Sequence, residues 1–265
     1  MTDTNDRPSI YLETHAPLAE LVLNKPERRN ALSGDMWAAI PDLLDQANGD
    51  PDIRVIMLHG GTSGAFAAGA DISEFAETYA TPESADAGNG TIAAALYALE
   101  RSTKPVIAAI EGACIGGGVS LALACDLRVA SLNSKFGIPP ARLGLVYPPA
   151  DTRRLLKTVG PGAARDLLFT GRVILGAEAR ELRLIDRLVE DGTAVHAARE
   201  LAREMASLSQ WSVRAAKQMM LGLEAGWDDD DLNALALLRE GFSNDDFRDG
   251  YKAFLEKRKP DFPIR

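Results

Sequence analysis

KPVIAAIEGACIGGGVSLALACDLRVA, residues 104–130, decides the fold class. Residues 106–110 are an unbroken apolar run, short enough for a buried strand. Gly116, Gly117 and Gly118 follow, then an apolar helix running through Cys125, then a second strand over residues 127–130. Neither strand alternates polar with apolar residues, as expected of a sheet covered on both faces and built from βαβ units.

The same grammar extends toward the N-terminus. Residues 18–23 read as a strand that ends at the turn Asn24-Lys25-Pro26. Asn30 or Ser33 is placed to cap the next helix, in which Met36, Ile40, Leu43 and Leu44 recur at helical spacing until Asp50-Pro51. Residues 55–58 form another strand, followed by the loop HGGTSGAFAAGAD. Residues 76–90, polar and rich in Ala, Asp and Gly, read as a loop or a broken helix. Ile92, Leu96 and Leu99 mark a helix beyond them. After about residue 160 the pattern turns helical, with one apolar stripe in each of 195–208, 211–223, 232–239 and 247–257. No Pro/Ser linker intervenes. The expected class is α/β, with a core over residues 1–195 that carries the ligand site and a helical section over 196–265.

The 265 residues are 46% apolar and 25% charged, ample for one sizeable core. Twenty-nine Lys and Arg against 38 Asp and Glu leave a net charge of −9, which argues against sequence-independent nucleic-acid binding. No run approaches the roughly 18 apolar residues of a membrane span. The first nine residues are polar and unlike a secretory signal, so the expected location is cytoplasmic. Cys114 and Cys125 form no CxxC, and His15, His59 and His196 have no zinc spacing, so no metal is expected.

Two glycine-rich loops carry the chemical signal. GAFAAGAD, residues 64–71, follows a buried strand and admits a ligand close to its backbone N–H groups, with Asp71 placed to cap a helix near Ile72. The cluster Gly116–Gly118 opens an apolar helix whose dipole favours an anion. It is neither GxGxxG nor a P-loop. Each loop by itself also fits a structural turn or close helix packing. Together they suit two backbone donors on one thioester enolate oxygen.

The sequence resembles the enoyl-CoA hydratase/isomerase (crotonase) family in LVLNKPERRNAL at 21–32, FAAGADI at 66–72, the stretch 104–130, FGIP at 136–139 and GYKAFLEKRKPDF at 250–262. The resemblance implies a spiral of ββα turns with two nearly perpendicular sheets, assembled as a homotrimer or a hexamer of two trimers. It implies a coenzyme A thioester as substrate, with no other cofactor. By motif the oxyanion donors fall on the N–H groups of Ala70 and Gly117. Ala68, Asp71 and Ile72 line the CoA path, Lys25 and Arg28 stand near its phosphates, and Phe254 and Lys257 touch the nucleotide.

The pattern departs from the family at three places. Hydratases of the family carry glutamates at the positions of Ser120 and Pro140 here. Water addition needs a base for the water and an acid for the α-carbon, and proline offers neither. The glycine-rich loop expected next is instead ARLGLVYPPADTRRL, with Tyr147 offering a phenol. A pocket tyrosine without the second glutamate resembles the methylmalonyl-CoA decarboxylase branch, although that branch has histidine where Ala70 stands. The functional expectation is a CoA-thioester enzyme working through an enolate, nominally a hydratase/isomerase. Decarboxylation of a malonyl-type thioester and CoA-ester binding without catalysis are the alternatives. Catalytic candidates are Ala70, Gly117, Ser120, Tyr147 and Glu74. Glu74, Glu111, Arg142, Asp126 and Asp151 each have a structural reading beside the catalytic one.

Overall fold

The computed structural model describes residues 7–262. In chain order these form β1 (Ile10–His15), β2 (Leu18–Leu23), α1 (Gly34–Gly49), β3 (Val55–His59), α2 (Phe75–Thr78), α3 (Pro82–Arg101), β4 (Val106–Ile110), β5 (Ala113–Ile115), α4 (Gly117–Ala124), β6 (Leu127–Ser131) and β7 (Lys135–Gly137). There follow α5 (Pro140–Leu143), α6 (Pro149–Thr170), β8 (Val173–Leu175), α7 (Gly176–Glu181), β9 (Arg187–Val189), α8 (Ala194–Ala206), α9 (Gln210–Glu224), α10 (Leu232–Ser243) and α11 (Asp245–Glu256). Residues 1–6, within the polar N-terminal stretch, lie outside the described residues.

The main sheet runs β1-β2-β3-β4-β6-β9, antiparallel only between β1 and β2. Every residue of β2, β3 and β4 is buried. The strand period of two divides them between two cores. Val55, Met57, Ile107, Ala109 and Val129 pack with Ala198, Leu201 and Ala202 of α8. Ile56, Leu58, Ala108 and Ile110 pack with Met36, Trp37 and Ile40 of α1, with Leu96 and Leu99 of α3, and with Leu121 of α4. A smaller sheet, β5-β7-β8, pairs β5 with β7 in parallel and β7 with β8 antiparallel. The sheets, the ββα units and the helical C-terminal section are those of the crotonase-like α/β class.

Two local expectations are refined. Of the two readings of residues 76–90, the broken helix is the one observed: α2 ends at Thr78, and Pro82–Arg101 is one continuous helix. Thr81 and Ser84 form a reciprocal capping box, and Pro82 occupies the first turn, where its missing N–H costs nothing. Small residues over 85–95 supply little periodicity, which left the two readings open. The cap of α1 is also different. Ser33 stands at the cap position but makes no side-chain cap bond. The Gly34 N–H instead donates to the Glu74 carboxylate at 2.8 Å, forty residues downstream. Asn30 lies outside the helix and serves the loop described next.

Candidate active site

The segment carrying Ala70 is gripped from two sides. Ala67 N–H donates to Ala113 O and Ala67 O accepts from Ile115 N–H, both at 2.9 Å, so this residue is paired to β5. Leu32 N–H donates to Gly69 O at 2.8 Å, and Asp71 N–H donates to Leu32 O at 2.9 Å. In such a parallel bridge the N–H of the intervening Ala70 points away from Leu32 and has no hydrogen-bond partner among the described residues.

Asn30 locks this arrangement. It is fully buried in a left-handed conformation (φ 51–55° over Arg29 and Asn30), which asparagine tolerates better than most residues. Its amide nitrogen lies within 2.8–3.1 Å of the carbonyls of Gly60, Ala65 and Phe66 and the Ser63 hydroxyl, and its oxygen accepts the Lys25 N–H at 2.9 Å. The partners of its amide nitrogen stand 30 to 36 positions away along the chain, so no local signal could have revealed that part of its role.

The second donor comes from the start of α4. Gly117 is the first helical residue, and its N–H is one of the orphans every helix leaves at its N-terminus. A β-carbon on Gly117 would lie 3.6 Å from the Ala70 nitrogen, so the two unpaired N–H groups are neighbours. Close approach depends on Gly118 as well: a β-carbon there would stand 2.6 Å from Ala67 O.

One turn further along α4, Ser120 is buried among polar partners. Its hydroxyl lies 2.8 Å from the Tyr147 phenol and 2.9 Å from Asp151 Oδ2. Arg154 donates to Asp151 Oδ1 at 2.9 Å and to Glu100 at 2.8 Å, tying the start of α6 to α3. Burial raises the Asp151 pKa above the usual carboxylate range, against the lowering by Ser120 and Arg154. Burial also raises the Tyr147 phenol, with the Asp151 charge adding to it. A buried carboxyl therefore reaches Ser120, one turn along α4 from Gly117.

The other sequence candidates are distributed as follows. Lys25 and Asp71 form an ion pair at 2.8 Å. The Lys25 and Ser73 hydrogen bonds hold the Asp71 carboxyl well below its ordinary value. Asp71 also caps the turn Ile72–Glu74 through the Ser73 N–H, as expected. Ala68 is half-buried, whereas Arg28, Ile72, Phe254 and Lys257 are exposed, the last two at the end of α11 where it packs on α10. Glu111 accepts from the N–H groups of Gly192 and Ala194 at the start of α8. Asp126 accepts from Val106 N–H and pairs with Lys217, both at 2.7 Å. Arg142 is exposed beside Gly171. No group of metal-ligating side chains occurs among the described residues.

The enoyl-CoA hydratase/isomerase family model matches residues 13–264. The chain belongs to the enoyl-CoA hydratase/isomerase family. It is 34% identical to a crotonyl-CoA hydratase of Syntrophomonas wolfei over 96% of this chain and 97% of that one. A short-chain-enoyl-CoA hydratase of Clostridium acetobutylicum is also 34% identical, over 95% and 96%. Among solved structures, an enoyl-CoA hydratase/isomerase family protein from Hyphomonas neptunium superposes with a TM-score of 0.96 at 62% identity, covering 97% of this chain and 98% of that one. The chain is accordingly an enzyme of acyl-CoA thioesters that works through an oxyanion-stabilised intermediate. No helix among the described residues is long and apolar enough to cross a membrane.

Proposed function

We propose that the chain shifts the double bond of an enoyl-CoA through a thioester enolate held by the N–H groups of Ala70 and Gly117. The observation that carries this reading is the pair of adjacent, unpartnered backbone donors. Such preorganised donors stabilise charge that develops on the thioester oxygen. A double-bond shift needs one proton acceptor that takes a proton at one carbon and returns it at another. Water addition needs a second group to activate the water. Both positions that hold glutamate in the family's hydratases lack a carboxylate here, at Ser120 and Pro140, and Asp151 is the buried carboxyl that reaches Ser120. Decarboxylation of a malonyl-type thioester is the second reading, favoured by Tyr147 beside a position without a carboxylate.

Ala68, Asp71 and Ile72 would flank the pantetheine, with Lys25 and Arg28 near the phosphates. In a homotrimer or a pair of trimers, Phe254 and Lys257 would contact the nucleotide. The 83% exposure of Phe254 and 73% of Leu255 supports such an assembly. Free thiols at Cys114 and Cys125 support a cytoplasmic setting.

The test is a turnover screen of purified protein with a 3-enoyl-CoA, a 2-enoyl-CoA and methylmalonyl-CoA, read by chromatography with mass detection. The expected product has unchanged mass and a new retention time. Gly117→Ala, which crowds the donor pair, should slow its formation by about 10²–10³. A gain of water would replace this reading with hydration, and a loss of CO₂ with decarboxylation.

A further inference from the structure

The buried group Tyr147–Ser120–Asp151 has the connectivity of a proton wire. With Ser120 donating to Asp151 at 2.9 Å, its single hydroxyl hydrogen is used and it accepts from the Tyr147 phenol at 2.8 Å. Asp151 is only 3% exposed, and its second oxygen is taken by Arg154. Among the described residues the phenol makes a single hydrogen bond, to Ser120, so its oxygen keeps capacity for one more partner. Ser120 stands three residues after Gly117 on α4, which puts it on the same helix face as the oxyanion donor and about one turn away. The wire is therefore anchored beside the site of enolate charge, with a titratable carboxyl at its closed end.

We propose that Asp151 is the proton store for the enolate, reached through Ser120, with the Tyr147 phenol as the group that exchanges a proton with the substrate's α-carbon. The proposal rests on the thioester reading above. In the forward direction the α C–H bond breaks. Its proton passes to the Tyr147 oxygen as that phenol gives its own proton to Ser120 and Ser120 gives its own to Asp151. The electron pair of the C–H bond becomes the enolate, with its charge on the thioester oxygen at Ala70 and Gly117. The return step runs the relay from Asp151 through Ser120 to Tyr147 and delivers the proton to the α-carbon in exchange or to the γ-carbon in a double-bond shift, so no co-reactant is consumed. A serine between phenol and carboxyl suits this, because a hydroxyl donates and accepts at once and reverses polarity by rotation.

The charged and titratable groups around the store are Arg154 on its own helix, Glu100 from α3, the Tyr147 phenol, and Cys114 of β5 near that phenol. Arg154 is shared with Glu100, and burial outweighs its lowering of the Asp151 pKa. A store that both takes and returns a proton needs that balance.

The direct readout is exchange of the α-hydrogens of butyryl-CoA in D₂O, followed by NMR, with butyryl-CoA affinity measured by calorimetry on the same proteins. Exchange reports enolate formation whatever overall reaction the enzyme performs. Tyr147→Phe, Ser120→Ala and Asp151→Asn are each expected to slow exchange by about 10²–10⁴ with affinity unchanged. The wild-type rate should rise with pH through the Asp151 titration, and that limb should vanish in Asp151→Asn. Ser120→Ala interrupts the wire without removing either end, so it carries the test if Asp151→Asn fails to fold. Exchange that persists in Ser120→Ala and Tyr147→Phe would overturn the wire and leave the cluster as a structural tie between α4 and α6. A wild-type protein that binds butyryl-CoA without exchange overturns the proton store alone, whereas one that does not bind overturns the thioester reading with it.

Discussion

Replacing Asn30 should cost more stability than any other single polar change near the donor loop. The side chain is fully buried, its two amide hydrogens face three carbonyls and a hydroxyl, and its oxygen holds the Lys25 N–H. Asn30→Ala removes about three net hydrogen bonds, at roughly 1 kcal/mol each. It also places alanine in a left-handed conformation, at about 1–2 kcal/mol. The sum is about 4–5 kcal/mol, equivalent to a melting-temperature drop of roughly 8–20 °C in a chain of this size. Asn30→Asp separates the terms. It keeps the left-handed tolerance and the Lys25 bond but turns a carboxylate oxygen on the carbonyls of Gly60, Ala65 and Phe66. Its carboxyl would have a raised pKa in the fold, so this variant should be relatively more stable at low pH and lose that advantage as pH rises through the folded-state value. Differential scanning calorimetry at pH 4.5 and pH 7, at one protein concentration, measures both. An Asn30→Asp protein that melts within about 2 °C of the wild type at pH 7 would refute the claim that the amide hydrogens hold the loop.

Gly118→Ala should lower stability by about 1–3 kcal/mol, because its β-carbon meets Ala67 O at 2.6 Å and backbone cannot swing aside; urea unfolding reads it. Glu74→Ala should cost about 1 kcal/mol by uncapping α1 yet leave α-hydrogen exchange within a few fold, whereas a large loss of exchange would make Glu74 catalytic. Burial alone would raise Glu20, but its bonds to Arg199 and His59 outweigh that and depress its carboxyl to about 2 from 4.5. The stability this contributes is present above about 4.5 and lost as pH falls toward 2, so Glu20→Gln should flatten that part of the stability-versus-pH curve in chemical denaturation.

The strands β2, β3, β4 and β6 were legible because burial on both faces leaves runs that are mostly apolar, unbroken in β4 and interrupted only by Glu20 in β2 and Arg128 in β6 before the strand ends. The edge strand β1 was not, because Tyr11, Leu12 and Glu13 are only half-buried and carry no clean signal. The glycine loops announced close backbone approach, but spacing along a chain contains no information on whether two loops meet. That depends on pairings such as Leu32 with Ala70 and Ala67 with Cys114. The polar cluster was visible only in fragments. Ser120 and Tyr147 stood out against the family pattern, whereas Asp151 gained its place from a contact across 31 residues. Ile92, Leu96 and Leu99 marked the second half of α3, but its first half stayed open between loop and broken helix for a simpler reason: alanine and glycine fit both alike unless the capping box at Thr81 is given more weight than the composition.

The grip on the donor segment also gives the site a signature in amide hydrogen exchange. Ala67, Ala68 and Asp71 give their N–H groups to Ala113, Arg29 and Leu32, while those of Gly69 and Ala70 between them have no partner among the described residues. Exchange along this stretch should therefore be uneven, with fast amides at Gly69 and Ala70 set among slow ones and further fast amides at Gly117 and its neighbours in the first turn of α4. Two such amides, close in space and 47 positions apart in the chain, would slow together when a thioester oxygen occupies the place between them.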